Sequence, residues 1–190
     1  MTRMRLDLFD ATRNLDRGRS SLVEAIWYVC KVVFFLSAVP WPSRWKCALL
    51  RLFGAKIGVG VVIKPRVNIH LPWRLEIGER AWIGEEVFLL NFAVVRIGSH
   101  SCISQRAFLC TGNHDFRDPV FAFRCAPITV GDGVWVGAGV FVAPGVEIGD
   151  EAVVTAGSVV CKKLEGGMIY SGNPAFPKAN RWDDSGKKVG

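Results

Sequence analysis

Residues 128–160, ITVGDGVWVGAGVFVAPGVEIGDEAVVTAGSVV, place Val130, Val136, Val142, Ile148, Val154 and Val160 six apart without a break. The same ladder runs upstream through Ile57, Ile63, Ile69, then Ile77, Ile83, Leu89, then Ile97, Ile103, Leu109. The positions fall into five triplets, and glycine follows the first member of each: Gly58, Gly78, Gly98, Gly131 and Gly149. A period of six grouped in threes means three short strands per turn, so each triplet is one triangular coil of a parallel β-helix. Two residues before most ladder positions stands a second small or branched side chain, among them Ala55, Val61, Val67, Ala81, Val87, Ser101, Ala107, Val140, Ala152 and Ser158. Strand side chains alternate, so this set points inward as well.

A single coil can neither bury its corner residues nor pair its backbone. Stacked about 4.8 Å above another coil it does both, and five coils give a prism roughly 24 Å tall. Glycine suits a first corner that a Cβ would crowd. Spacing does not set the hand of the coil, since ordinary crossovers are right-handed.

The organisation that follows is an amino-terminal helical segment over 1–54, a β-helix over 55–165 with a loop insertion at 110–129, and a carboxy-terminal extension over 166–190. The net charge is +7, and residues 1–53 hold nine Arg or Lys against four Asp or Glu, or +5 of it. No nucleic-acid-binding signature accompanies that charge, so an anionic membrane surface or a phosphate-bearing ligand is the expected partner, not nucleic acid. Cys30, Cys47, Cys102, Cys110, Cys125 and Cys161 show no Cys-x-x-Cys spacing. With an amino terminus too charged for a secretory leader, they imply reduced thiols in the cytoplasm.

Ser21 and Glu24 form a capping-box pattern opening an apolar stretch, Ala25 to Val39, which is too short to span a membrane and is stopped by Pro40. A second helix over Ser43–Phe53 sets Trp45, Leu49 and Leu52 on one face, with Gly54 as its cap. Two readings stay open for residues 21–53: a cover over the open end of the β-helix, and peripheral contact with the inner face of the cytoplasmic membrane.

The ladder breaks after Ile69, Leu89 and Leu109, always after a third triplet member. Loops at 70–76, 90–96 and 110–129 therefore leave one vertical edge, where a site is expected. The longest carries Asn113, His114, Asp115, Arg117 and Asp118, and the one beneath it Asn91. An imidazole with a reference pKa near 6.5 can accept a proton at neutral pH, which makes His114 a candidate general base toward an alcohol. Asp115 is a candidate to orient the ring, although adjacent side chains often point apart, and Asp118 before Pro119 reads as a turn residue. Cys110 reads as packing. His70, His100 and His114 do not share one edge, which argues against a three-histidine metal site. Trp135 should point outward, as a ligand wall or a subunit contact, and Trp82 as a subunit contact.

These residues carry a resemblance. The ladder, Thr111-Gly112-Asn113-His114-Asp115, Val134-Trp135-Val136-Gly137, Pro144-Gly145-Val146, Ala156-Gly157-Ser158 and Gly172-Asn173-Pro174-Ala175 resemble the hexapeptide-repeat acyltransferases. Within them the chain is most similar to the galactoside, maltose and nodulation acetyltransferases, and especially to the WcaF-like colanic-acid-biosynthesis group. The likeness to that group extends through Arg51-Leu52-Phe53-Gly54-Ala55-Lys56-Ile57-Gly58 and Lys64-Pro65-Arg66-Val67-Asn68-Ile69.

The resemblance implies an all-β, left-handed parallel β-helix, a homotrimer with sites between subunits, and acetyl-CoA as co-substrate with no metal. It implies His114 as the catalytic base, Asn91 as an acceptor contact, Trp135 as a site wall and the Ala138 amide as the oxyanion donor, and Asp115, beside His114, is taken as a second acceptor contact. Gly137, Ala156, Gly157 and Ser158 would line the pantetheine channel, with Lys162, Lys163 and Lys178 near the nucleotide phosphates. Cys161, where relatives often have Thr, and Phe176, where many have Arg, depart from the pattern. The implied reaction is O-acetylation of a sugar hydroxyl, on an exopolysaccharide precursor that is free or lipid-linked. Alternatives are a non-catalytic scaffold in polysaccharide assembly and a γ-carbonic-anhydrase-like metalloenzyme.

Overall fold

The computed structural model describes residues 3–10 and 15–182. Three parallel sheets form the faces of a prism. The first face stacks Lys56–Ile57, Leu75–Ile77, Val95–Ile97, Ile128–Val130 and Glu147–Ile148. The second stacks Val62–Ile63, Trp82–Ile83, Cys102–Ile103, Trp135–Val136 and Val153–Val154, and is extended by the antiparallel pair Met168–Ser171 and Phe176–Asn180. The third stacks Asn68–Ile69, Phe88–Leu90, Phe108–Cys110, Phe141–Val142 and Val159–Val160. Register is strict, with Ile57 beside Ile77, Ile77 beside Ile97, and Ile97 beside Val130.

All ladder residues except the half-buried Ile57 lie in the core, and so does every member of the second inward set. The corner glycines answer to coil stacking: a Cβ on Gly98 would come 2.3 Å from the Gly131 carbonyl oxygen, and one on Gly58 2.5 Å from the Glu79 amide nitrogen. Close approach of the next coil, not an unusual φ, demands glycine there.

The outward residues differ by face. The first face carries Lys56, Glu76, Arg96, Thr129 and Glu147, with Lys56 and Arg96 both paired to Glu76 at 3.0 and 3.3 Å. The second carries Val62, Trp82, Cys102, Trp135 and Val153, and the third Asn68, Phe88, Phe108, Phe141 and Val159. Phe88 and Phe108 stack at 4.8 Å. Two of the three faces are therefore mainly apolar on the outside.

Helix α1 (Ser21–Lys31) continues into a π-helical turn over Val32–Leu36, and α2 spans Ser43–Leu52. Together they close the lower end of the prism. The ladder carbonyls of the first coil have no coil beneath them, and each corner meets a different side-chain donor. Arg51 reaches the Ile57 and Gly58 oxygens at 2.9 Å, Lys46 the Ile63 and Lys64 oxygens at 3.3 and 3.0 Å, and Trp27 the Ile69 and His70 oxygens at 3.2 and 3.1 Å. Buried carbonyls left unpaired cost roughly 1–3 kcal/mol each, so this cap substitutes for a missing coil.

Two helix expectations are corrected. The residue preceding α1 is Ser20, and the Glu24 carboxylate pairs with Arg17 at 2.6 Å instead of closing a capping box with Ser21. In α2 the buried face is Lys46, Cys47 and Leu50, while Trp45 and Leu52 are exposed. The unpaired carbonyls of the first coil draw the Lys46 ammonium inward and turn that apolar pair out. Gly54, at φ +94, ends the helix as expected.

Candidate active site

The three loops leave the edge between the third and first faces, as the breaks in the ladder require. The lowest contains a 3₁₀ turn over Pro72–Arg74, and the longest folds into an antiparallel hairpin pairing Gly112–His114 with Phe123–Cys125. His114 pairs with Phe123 in register, which holds its backbone on a rigid ribbon.

The imidazole is clamped. Nδ1 lies 2.9 Å from the Phe121 carbonyl oxygen, which can only accept, so Nδ1 donates and the neutral ring keeps its lone pair on Nε2. The ring stacks on Phe121 at 4.2 Å and meets the edges of Phe9 and Phe123, each at 5.4 Å. It lines a cavity of about 390 Å³ with Asn113, Asp115, Phe116, Arg124, Cys125, Ala126 and Pro144.

Asp115 does not orient this ring. Its carboxylate pairs with Arg124 and accepts the Arg117 amide at 3.0 Å, while the Phe121 carbonyl takes the orienting role. Asp118 accepts the Val120 amide at 3.0 Å, as a turn residue should. Cys110 is buried, donates to the Gly112 carbonyl at 3.1 Å, and has its thiol pKa pushed up by that burial, which removes it as a nucleophile.

Asn91 is corrected more sharply. It is fully buried, its Oδ1 accepts the His70 and Leu71 amides at 3.1 and 2.9 Å, and its Nδ2 donates to the Leu71 and Arg74 carbonyls at 2.6 and 3.2 Å. With its amide spent on the 70–74 backbone, it braces the lowest loop and offers nothing to an acceptor. Asn113, exposed beside His114, is the amide the cavity presents.

The other expected residues lie elsewhere on the prism. Trp135 is exposed on the second face, its indole N–H donating to Ser104 Oγ at 2.9 Å. Ala138, Ala156 and Gly157 are exposed on the corner between the second and third faces, and the buried Gly137 precedes Ala138 there. Among the described residues the Ala138 amide N–H has no acceptor, which leaves it free for a ligand oxygen. Ser158 is corrected: its hydroxyl points into the core, accepting the Gly172 amide at 3.1 Å beside Thr155 Oγ1 at 3.2 Å. It supports the corner from inside.

Lys162 and Lys163 are exposed above the hairpin edge, Lys163 lying 3.9 Å from Glu147, and Lys178 is exposed on the last strand of the second face. His100 sits at the corner between the first and second faces, 3.8 Å from Glu79, so the three histidines do not converge within the chain. A concavity of about 810 Å³ follows the charged first face away from all of these groups.

Sequence reasoning missed Phe9, Phe121 and Phe123 around the imidazole. The alternation Phe121-Ala122-Phe123 was a legible hairpin signal, whereas nothing local marks Phe9, which lies more than a hundred residues away.

Residues 127–162 match the family model for the bacterial transferase hexapeptide (six repeats). The chain is 44% identical over 159 residues, 84% of its length, to the putative colanic acid biosynthesis acetyltransferase WcaF of Escherichia coli strain K12, covering 87% of that protein. It is 29% identical over 133 residues to the galactoside O-acetyltransferase of the same organism, covering 67% of this chain and 64% of that protein. Among solved structures, the hexapeptide-repeat acetyltransferase VCA0836 of Vibrio cholerae complexed with acetyl-CoA superposes with a TM-score of 0.79 at 25% identity, covering 88% of this chain and 93% of that one. With a sixfold ladder folded into a triangular prism and a relative this similar along most of both chains, the protein belongs to the hexapeptide-repeat acetyltransferases, in the WcaF-like group.

Proposed function

We propose that this protein transfers an acetyl group from acetyl-CoA to a sugar hydroxyl, with His114 as general base. The observation that carries the reading is the Nδ1 contact to the Phe121 carbonyl, which supports the tautomer in which Nε2 is the base. An alcohol is a poor nucleophile at neutral pH, and removal of its proton by Nε2 during attack is worth about 10² to 10⁴ in rate. The free Ala138 N–H supports the oxyanion assignment, because a fixed amide stabilises a developing oxyanion by roughly 3–4 kcal/mol. A thiolate with a pKa near 8.5 then leaves far more readily than an alkoxide. Cys110 is tied to the Gly112 carbonyl, which supports direct transfer over acetylation of that thiol.

His114 and Ala138 occupy different corners of one chain, with the third face between them. A trimer whose apolar second and third faces meet neighbouring copies would bring the hairpin of one subunit to the donor corner of the next. In this reading Trp135 walls the site, Gly137, Ala156 and Gly157 line the pantetheine path, Lys162, Lys163 and Lys178 meet the phosphates, and Asn113 and Asp115 contact the acceptor. The relationship to a colanic acid biosynthesis protein supports an exopolysaccharide precursor as acceptor. The test is thiol release from acetyl-CoA across a panel of free and lipid-linked glycans. His114→Ala should lower turnover at least about 10²-fold with the oligomer intact, and near-normal activity would remove His114 from this role.

A further inference from the structure

The hairpin edge has a second cavity at its foot. About 290 Å³ in volume, it lies between α1 and the Ile69–Leu71 corner, and is lined by Arg17, Ser21, Glu24, Tyr28, Lys31 and His70 among others. Lys31 is only 7% exposed, and among the described residues it has no carboxylate partner, its ammonium resting over the Tyr28 ring at 5.2 Å. His70 Nε2 is buried and, among the described residues, has no hydrogen-bond partner. Glu24 lines the cavity too, but it is taken by Arg17 at 2.6 Å. A lysine this buried, beside an orphaned imidazole nitrogen that donates when it carries the ring proton, suits an anion that accepts hydrogen bonds.

The surface beside this cavity is apolar. Leu22, Ile26 and Val29 on α1 and Val33 on the π-helical turn that continues it are all exposed, spaced four, three and four apart, and form one stripe opposite the face that carries Trp27 and Lys31. The segment around it carries nine Arg or Lys against four Asp or Glu. Among the described residues no helix is long and apolar enough to cross a membrane, so the stripe suits a leaflet surface. The cavity also stands on the ridge of the candidate base. His70 packs on Phe92 at 4.5 Å, Phe92 on Phe123 at 5.1 Å, and Phe123 on His114 at 5.4 Å, up a rise of two coils, about 10 Å.

We propose that this cavity binds the phosphate of an anionic membrane lipid, with Lys31 as counter-ion, Arg17 at the rim and the Leu22–Val33 stripe in the acyl region. The inference deepens the reading of the acceptor as lipid-linked, and it would hold the hairpin at the membrane surface where such an acceptor lies.

The experiment is flotation of the full chain with phosphatidylglycerol vesicles, with phosphatidylcholine vesicles as comparison and inorganic phosphate as a soluble probe. Wild type should float with phosphatidylglycerol and stay down with phosphatidylcholine. Lys31→Gln should weaken partitioning at least about tenfold, as loss of a buried charged hydrogen bond does. Lys56→Gln, which removes one surface charge from the first face, should weaken it less than about fivefold. Arg17→Gln is the second variant, and should weaken flotation even if Lys31→Gln folds poorly. Wild type remaining at the bottom with phosphatidylglycerol, as it would if a second copy covered the stripe, overturns the proposal. So does normal flotation of both variants, or calorimetric binding of inorganic phosphate without flotation. Acetyl-CoA titration of the same samples separates the two readings: retained binding with no flotation sinks the lipid site alone, and absent binding sinks the transferase reading.

Discussion

Phe9 and His114 meet edge to face, 5.4 Å between ring centres, although a hundred residues of chain separate them. The segment bearing Phe9 is tied to the same loop by the Arg5 amide, which donates to the Pro119 carbonyl at 2.7 Å. Phe121 stacks on the imidazole at 4.2 Å, so the ring is held by neighbours as well as by its hydrogen bond.

Phe9→Ala should therefore lower turnover about three- to tenfold through looser placement of the imidazole, since an aromatic pair is worth about 0.5–1.5 kcal/mol beyond its buried area. Thermal unfolding of the β-helix should barely change. An unaltered rate would mean that Phe9 does not position His114.

Ala138→Pro removes the proposed oxyanion donor without asking the backbone for anything new, because Pro65 occupies the equivalent corner in the first coil, before Arg66 at φ 58 as Ala138 stands before Gly139 at φ +66. Turnover should fall about 10² to 10³-fold with the melting temperature preserved. If the site forms between subunits, mixing this variant with His114→Ala should restore up to about a quarter of wild-type activity by random pairing of intact halves. No recovery in mixed oligomers would place both halves in one chain's site.

Gly98→Ala tests the stacking argument. The new Cβ would meet the Gly131 carbonyl carbon and oxygen at 2.4 and 2.3 Å, and backbone cannot swing aside as a side chain can. A loss of about 4 kcal/mol or more, or failure to express soluble protein, is expected in chemical denaturation.

His70 makes stability depend on acidity. Burial first, then the charges of Lys31 and Arg17, lower its pKa from 6.5 to about 4, with Glu24 opposing. The unfolded chain takes up a proton near pH 6.5 while the folded chain resists until about pH 4. The stabilisation is thus complete above pH 6.5 and lost as pH falls toward 4. Allowing for partial exposure, the loss is roughly 1–3 kcal/mol. His70→Phe should lose less stability than wild type between pH 7 and pH 4.5 in urea titrations, and an identical loss would contradict the assignment.

The sequence alone determined the prism. Its ladder from Ile57 to Val160 carries the coil geometry because stacking repeats one local environment, and a repeated environment leaves a repeated residue. The shared edge of the three loops was legible for the same reason, since a break at constant phase must leave the same corner each time. What only the tertiary structure decided depends on contacts without a period. Asn91 became a brace and Ser158 a core hydroxyl because unpaired backbone groups lay within their reach. α2 turned Lys46 inward because the first coil lacked a neighbour below. The clamp on His114 joins a carbonyl across a hairpin to a ring from the amino terminus, and no spacing rule connects chain segments so far apart.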